Sequence, residues 1–107
     1  MYYLNTTRHL VTPVDDATVS RLVTLLTEDI APKAATLEGL QSISWMLSQD
    51  RMTLQAFSGW QSAGDLPRAE HSDQHVKNGA VINELLGGLA APQAHSYYRL
   101  LGERTFC

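Results

Sequence analysis

Apolar positions recur along this chain at two periods, and the periods alternate. Residues 2–12, YYLNTTRHLVT, are rich in Tyr, Thr and Val and read as a strand, ended by Pro13, which cannot donate to a ladder. Val19, Leu22, Val23, Leu26 and Ile30 then fall at spacings of three and four. That predicts a helix capped by Asp15 or Asp16 and running to about Ala35, with Pro32 weakening its last turn. After Gly39, residues 40–48 and 52–60 are two strand-like runs separated by Gln49-Asp50-Arg51, a hairpin by spacing. Residues 62–71 hold Gly64 and Pro67 and read as a loop or a broken helix. A second helix is predicted from Ser72 or Asp73 to about Leu89. Its stripe carries His75, Ile82, Leu85, Leu86 and Leu89, and Gly87-Gly88 and Pro92 mark its end. Residues 94–102, AHSYYRLLG, make a last strand. The order β-α-β-β-α-β is the ferredoxin-like split βαβ plan. It predicts one α+β domain over residues 1–107, with a four-stranded antiparallel sheet and two helices on one face.

Side chains alternate across a strand, so Leu54, Ala56, Ser58 and Trp60 share one face of the third strand, opposite Phe57. In the second strand Leu40, Ser42, Ser44 and Met46 fall together, opposite Ile43, Trp45 and Leu47. A sheet with helices on one side should show a polar second face, yet apolar residues occur on both. Ile43, Trp45, Leu47 and Phe57 on the helix-free face would form an apolar patch. A second copy of the chain would cover it, giving a homodimeric α+β barrel. The helix side would then carry the small side chains Ser42, Ser44, Ala56 and Ser58 beside Trp60. Either helix leucines fill the space above them, or a cavity rimmed by hydroxyls takes a flat aromatic ligand against the indole.

Composition narrows the classes. Hydrophobic residues are 44% and charged residues 18%, a globular balance rather than a disordered one. The net charge is −3 and the basic residues are scattered, which argues against a general nucleic-acid binder. Cys107 is the single cysteine, so no internal disulfide forms, and its thiol reads as inert. There is no N-terminal apolar h-region and no run near the roughly 18 apolar residues of a membrane span, so a cytoplasmic protein is expected.

Candidate chemistry centres on residues 60–75. His71 and His75 are four apart and, with Glu70, make a possible ligand set. A metal needs a third well-placed ligand and supporting partners, and a helix break near Ser72 would part the two rings, so no metal site is assigned. His75 lies on the apolar stripe. It is either a satisfied core residue or, facing a pocket, a general base for a phenolic proton. Trp60 is core or ligand wall. Tyr97 and Arg99 share a face of the last strand and could bind an acidic phenol, while Arg8 and His9 stay undetermined.

In element order and in short motifs the chain resembles the antibiotic biosynthesis monooxygenase family of the dimeric α+β barrel superfamily. The motifs are Leu37-Glu38-Gly39, Ser48-Gln49-Asp50-Arg51 at the hairpin tip, and Gly59-Trp60-Gln61-Ser62 closing the third strand. The resemblance implies a small homodimer with pockets between sheet and helices. It also implies oxygenation of polycyclic phenols or anthrones without metal or flavin, the substrate's own anion supplying the electron to dioxygen. No cofactor is expected. Trp60 matches the family's strand-end tryptophan, while the asparagine often found four residues earlier is here Ala56, whose methyl cannot hydrogen-bond a phenolate. The resemblance thus implies a cofactor-independent monooxygenase-like tailoring enzyme on an aromatic polyketide-type substrate; with the reading of the helix added, the expected catalytic set is Trp60 as a wall of the site and His75, then His71, as the base. A polyketide cyclase, or a non-catalytic small-molecule-binding dimer, is the alternative that Ala56 favours. The haem-degrading branch uses Asn, Trp and His. Asn5, Trp60 and His75 supply those types without a matching spacing.

Overall fold

The computed structural model describes residues 1–106; Cys107, with its expected inert thiol, lies outside them. Four strands, β1 (Tyr2–His9), β2 (Leu40–Leu47), β3 (Thr53–Trp60) and β4 (Ala94–Arg99), form one antiparallel sheet in the order β2-β3-β1-β4. Helices α1 (Asp16–Thr24) and α2 (Ala31–Ala34) flank a π-helical segment (Leu25–Ile30), and α3 (Asp65–Glu70) and α4 (Asp73–Leu86) follow β3. This is the ferredoxin-like arrangement.

Capping sets the helix starts. Asp15 accepts from the Thr18 amide at 2.7 Å, and Ser72 accepts from the His75 amide at 3.2 Å, so each side chain satisfies an amide that the first turn leaves free. Pro32 does not end its helix. The turn before it is wide, with the Ala31 N–H bonded to the Leu26 carbonyl, and helical geometry continues to Ala34. α4 stops at Leu86 rather than Leu89, because Gly87 takes a left-handed φ of 80°. Residues 62–71, expected as a loop or a broken helix, contain the short helix α3. β1 and β4 end earlier than predicted, and Leu10 keeps only an isolated bridge to Leu89.

The helices cover one face. Leu22, Leu26, Ile30 and Ile82 pack with Leu54, and Leu66 and Ala69 pack with Leu4 and Trp60. Paired residues stand on the same face, so the helix side reads in rows: Leu40–Trp60–Tyr2–Arg99, then Ile43–Ser58–Leu4–Tyr97, then Trp45–Ala56–Thr6–His95.

These rows correct the reading of β2. Ile43, Trp45 and Leu47 face the helices, not the uncovered face, and Ser42 and Ser44 face away from them. The cause is a register shift between Leu40 and Ser42. Leu40 pairs with Trp60 on the helix side, Gln41 is the extra residue, and every later side chain of β2 changes face. Phe57 does lie on the uncovered face, with Tyr3, Met46 and Tyr98. Asn5, Thr7 and Gln55 form a hydrogen-bonded polar group at its centre, with Asn5 Nδ2 2.9 Å from Gln55 Oε1. Among the described residues no helix is long and apolar enough to cross a membrane.

Candidate functional site

A partly enclosed cavity of about 50 Å³ lies between sheet and helices. Its floor is the small set Thr6, Ala56 and Ser58, with Trp45 and Trp60 also on the sheet side. Ile30 and Ala34 close it from the first helical run, and His75, Asn78, Gly79 and Ile82 from α4. The four α4 residues share one helix face, their spacings being three, one and three. Trp60 is 2% exposed and donates from Nε1 to Ser58 Oγ at 2.9 Å. It is core on one side, against Leu4, Leu66 and Ala69, and cavity wall on the other.

Arg8 is the site's dominant charge. It is 3% exposed, and its Nε donates to Asn83 Oδ1 at 2.7 Å. Among the described residues no carboxylate reaches it. Burial lowers its pKa from 12.5 to about 10, so it stays cationic at neutral pH. Gly79 makes room for it, since a Cβ there would stand 3.2 Å from Arg8 Nη2. An uncompensated buried guanidinium is costly, and an anion in the cavity would offset that cost.

His75 lines the same cavity, and its Nε2 stands 3.3 Å from His95 Nε2 on β4. Burial, then His95 and Arg8, lower the His75 pKa from 6.5 to about 4. Burial also lowers His95. His75 is therefore a neutral base at pH 7. A linkage follows, because the unfolded chain binds a proton that the native state refuses. Stability should be complete above pH 6.5 and fall as the pH drops towards 4, by up to about 3 kcal/mol. Urea unfolding between those limits checks this, and His75→Phe should flatten the slope.

Asn78 is buried and accepts from Gln74 at 2.7 Å through Oδ1, and no acceptor among the described residues takes its N–H₂. Asn78 is thus an amide side chain among the α4 residues that line the cavity, while the floor position on β3 is Ala56.

The other expected site residues stand elsewhere. Ser42 and Ser44 are on the uncovered face. His71 is exposed at the end of α3, 3.3 Å from Glu70 Oε2, and does not line the cavity. Tyr97 and Arg99 lie on the helix side of β4 but outside the cavity. The Tyr97 hydroxyl donates to Glu70 Oε1 at 2.9 Å, which raises its pKa. Asn5 is on the opposite face from Trp60 and His75, so the three residue types of the haem-degrading branch do not converge. Among the described residues no three His, Cys, Asp or Glu side chains group to hold a metal ion. Sequence reading missed Trp45, Asn78 and His95 and left Arg8 open. Period two with Leu4 and Thr6 could have placed Arg8 on the helix side, and the three-residue step from His75 could have found Asn78. No local signal joins His75 to His95.

Comparison with solved structures gives a consistent fold. A monooxygenase from the gene ActVA-Orf6 of Streptomyces coelicolor, in complex with nanaomycin D, is similar over 99% of this chain and 92% of its own, with 19% identity and a TM-score of 0.66. A further antibiotic biosynthesis monooxygenase matches 95% of this chain and 100% of its own, with 10% identity and a TM-score of 0.64. A dimeric protein of unknown function and ferredoxin-like fold from Bacteroides fragilis matches 92% of this chain and 95% of its own, with 15% identity and a TM-score of 0.66. No protein-family model and no curated protein matches the sequence. The likeness is one of fold, and monooxygenases are among the proteins that share it.

Proposed function

We propose that the chain is a cofactor-independent monooxygenase-like tailoring enzyme acting on an aromatic polyketide-type substrate, and that it works as a homodimer. One observation carries the reading: a buried cation without a carboxylate partner, Arg8, faces the same cavity as a neutral imidazole, His75. Arg8 retains the anion of an acidic phenol or anthrone, and that anion, by offsetting Arg8, raises the basicity of His75 above its ligand-free value so that it can take the proton. The anion gives an electron to dioxygen, the two radicals join as a carbon-bound peroxide, and loss of water leaves the quinone. One ring CH₂ and one O₂ become one C=O and one H₂O. Asn78 N–H₂ is the donor suited to the peroxide oxygen, in the role that Ala56 cannot fill.

The cavity's size adds a requirement. About 50 Å³ holds a few waters, whereas ring ligands occupy sites of roughly 300–1,000 Å³. The wall must open, and the half-buried Leu40, Ile43 and Trp45 on edge strand β2 are the side chains placed to move.

Oxygen uptake with 1,8-dihydroxyanthrone tests the function. Uptake well above the uncatalysed rate is expected, falling by about 10²–10⁴-fold in His75→Ala. No uptake by the wild type overturns it. Ala56 on the cavity floor favours a second reading, a cyclase or a non-catalytic binder. Turnover under argon would mark the first, and tight binding without turnover the second.

The uncovered face, with Tyr3, Phe57, Met46 and Tyr98, is the surface for a second copy. Phe57→Lys should shift sedimentation from dimer to monomer, and Trp45→Ala should leave the dimer intact. The opposite pattern would return the interface to the other face of β2.

A further inference from the structure

We infer that His75 and His95 act as one proton-conducting dyad, with His95 as the positioning residue that links the cavity to solvent; this rests on the reading of His75 as the base. The geometry is specific. His75 lines the cavity from the first turn of α4, His95 stands on the outermost strand β4, and their Nε2 atoms are 3.3 Å apart. The ring centroids are 5.5 Å apart and the planes cross at 57°, so the contact runs edge to edge through nitrogen rather than by stacking. His75 is half-buried at the wall of a partly enclosed cavity, and its contact with His95 opens a path for the proton on the side away from the ligand. His95, only partly buried, carries that path to solvent.

Two neutral imidazoles can share this contact in one way, with one Nε2 carrying the hydrogen and the other accepting. If His75 holds it, His75 Nδ1 is the free base. A substrate proton taken there releases the Nε2 proton to His95 Nε2, and the Nδ1 proton of His95 passes to water. Each ring gains one proton and loses one. The reverse passage returns a proton to the cavity, where loss of water from the peroxide consumes it. The charged groups around the pair are Arg8 from β1, which disfavours the imidazolium, and Glu70 from α3, which favours it. His71, next to Glu70, disfavours the imidazolium as Arg8 does, and the Tyr97 hydroxyl is held by Glu70. Glu70 is thus placed at the exit, where the cation forms transiently.

The test pairs a readout without turnover with one during turnover. Nitrogen-15 spectra of the histidine rings in the free protein should show one hydrogen shared between His75 Nε2 and His95 Nε2. His95→Gln should change the titration of His75. Independent titration of the two rings would overturn the dyad whatever the activity. In oxygen uptake with 1,8-dihydroxyanthrone, His95→Phe should lower the maximal rate on the order of tenfold or more with the half-saturating concentration unchanged, and added imidazole should restore it. An unaltered rate, or a loss that imidazole does not rescue, overturns the relay. If the wild type takes up no oxygen, the monooxygenase reading fails, while the nitrogen spectra still decide the dyad.

Discussion

Arg8→Met is expected to stabilise the ligand-free protein by about 2 kcal/mol and to weaken binding of an anionic aromatic ligand by about 100-fold. Burial lowers the guanidinium pKa from 12.5 to about 10, which puts the cost of holding the charge at about 3 kcal/mol. Loss of the 2.7 Å bond to Asn83 takes back about 1 kcal/mol. Methionine is unbranched and fills the space left by the arginine stem. Urea unfolding and tryptophan-fluorescence titration with 1-naphthoate and its neutral amide measure the two effects. The wild type should prefer the carboxylate, and the variant should bind both alike. Destabilisation by about 3–5 kcal/mol, the loss seen when a buried ion pair is broken, would make Arg8 a structural residue instead.

Trp60→Ala should cost about 3–5 kcal/mol, a large part of the roughly 5–15 kcal/mol that holds a small domain folded. Trp60 is 2% exposed and joins Leu4 of β1 to Leu66 and Ala69 of α3. Trp60→Phe keeps most of that contact while removing the donor to Ser58 Oγ and part of the indole's volume, so a loss of about 1–2 kcal/mol is expected with the fold retained. Thermal unfolding of the two variants compares them. An alanine variant as stable as the phenylalanine variant would show that Trp60 is wall and not core.

The element order was legible because each period was long enough to see. Val19 to Ile30 show one helical face, and residues 52–60 are a strand-like run closed by Trp60. Capping was legible at Asp15 and Ser72 for the same local reason. β2 was misread because one extra residue, Gln41, exchanges its faces, and a bulge has no marker in this sequence. Ser42 and Ser44 therefore left the expected site, and Ile43 and Trp45 entered it. His75 was found through its place on the helical stripe. His95, twenty residues on, reaches it only through strand pairing, which no local pattern announces. Arg8 was visible as a residue, but the absence of a counter-charge is a property of the packed protein.

A crystal structure with 1,8-dihydroxyanthraquinone bound tests the central claim most directly. The ring system is expected between helices and sheet beside Trp60, with an oxygen within hydrogen-bonding distance of the Arg8 guanidinium and Trp45 swung outward to admit it. A ligand seated on the uncovered face against Phe57 and Tyr98, with the chamber around Arg8 still closed, would contradict it.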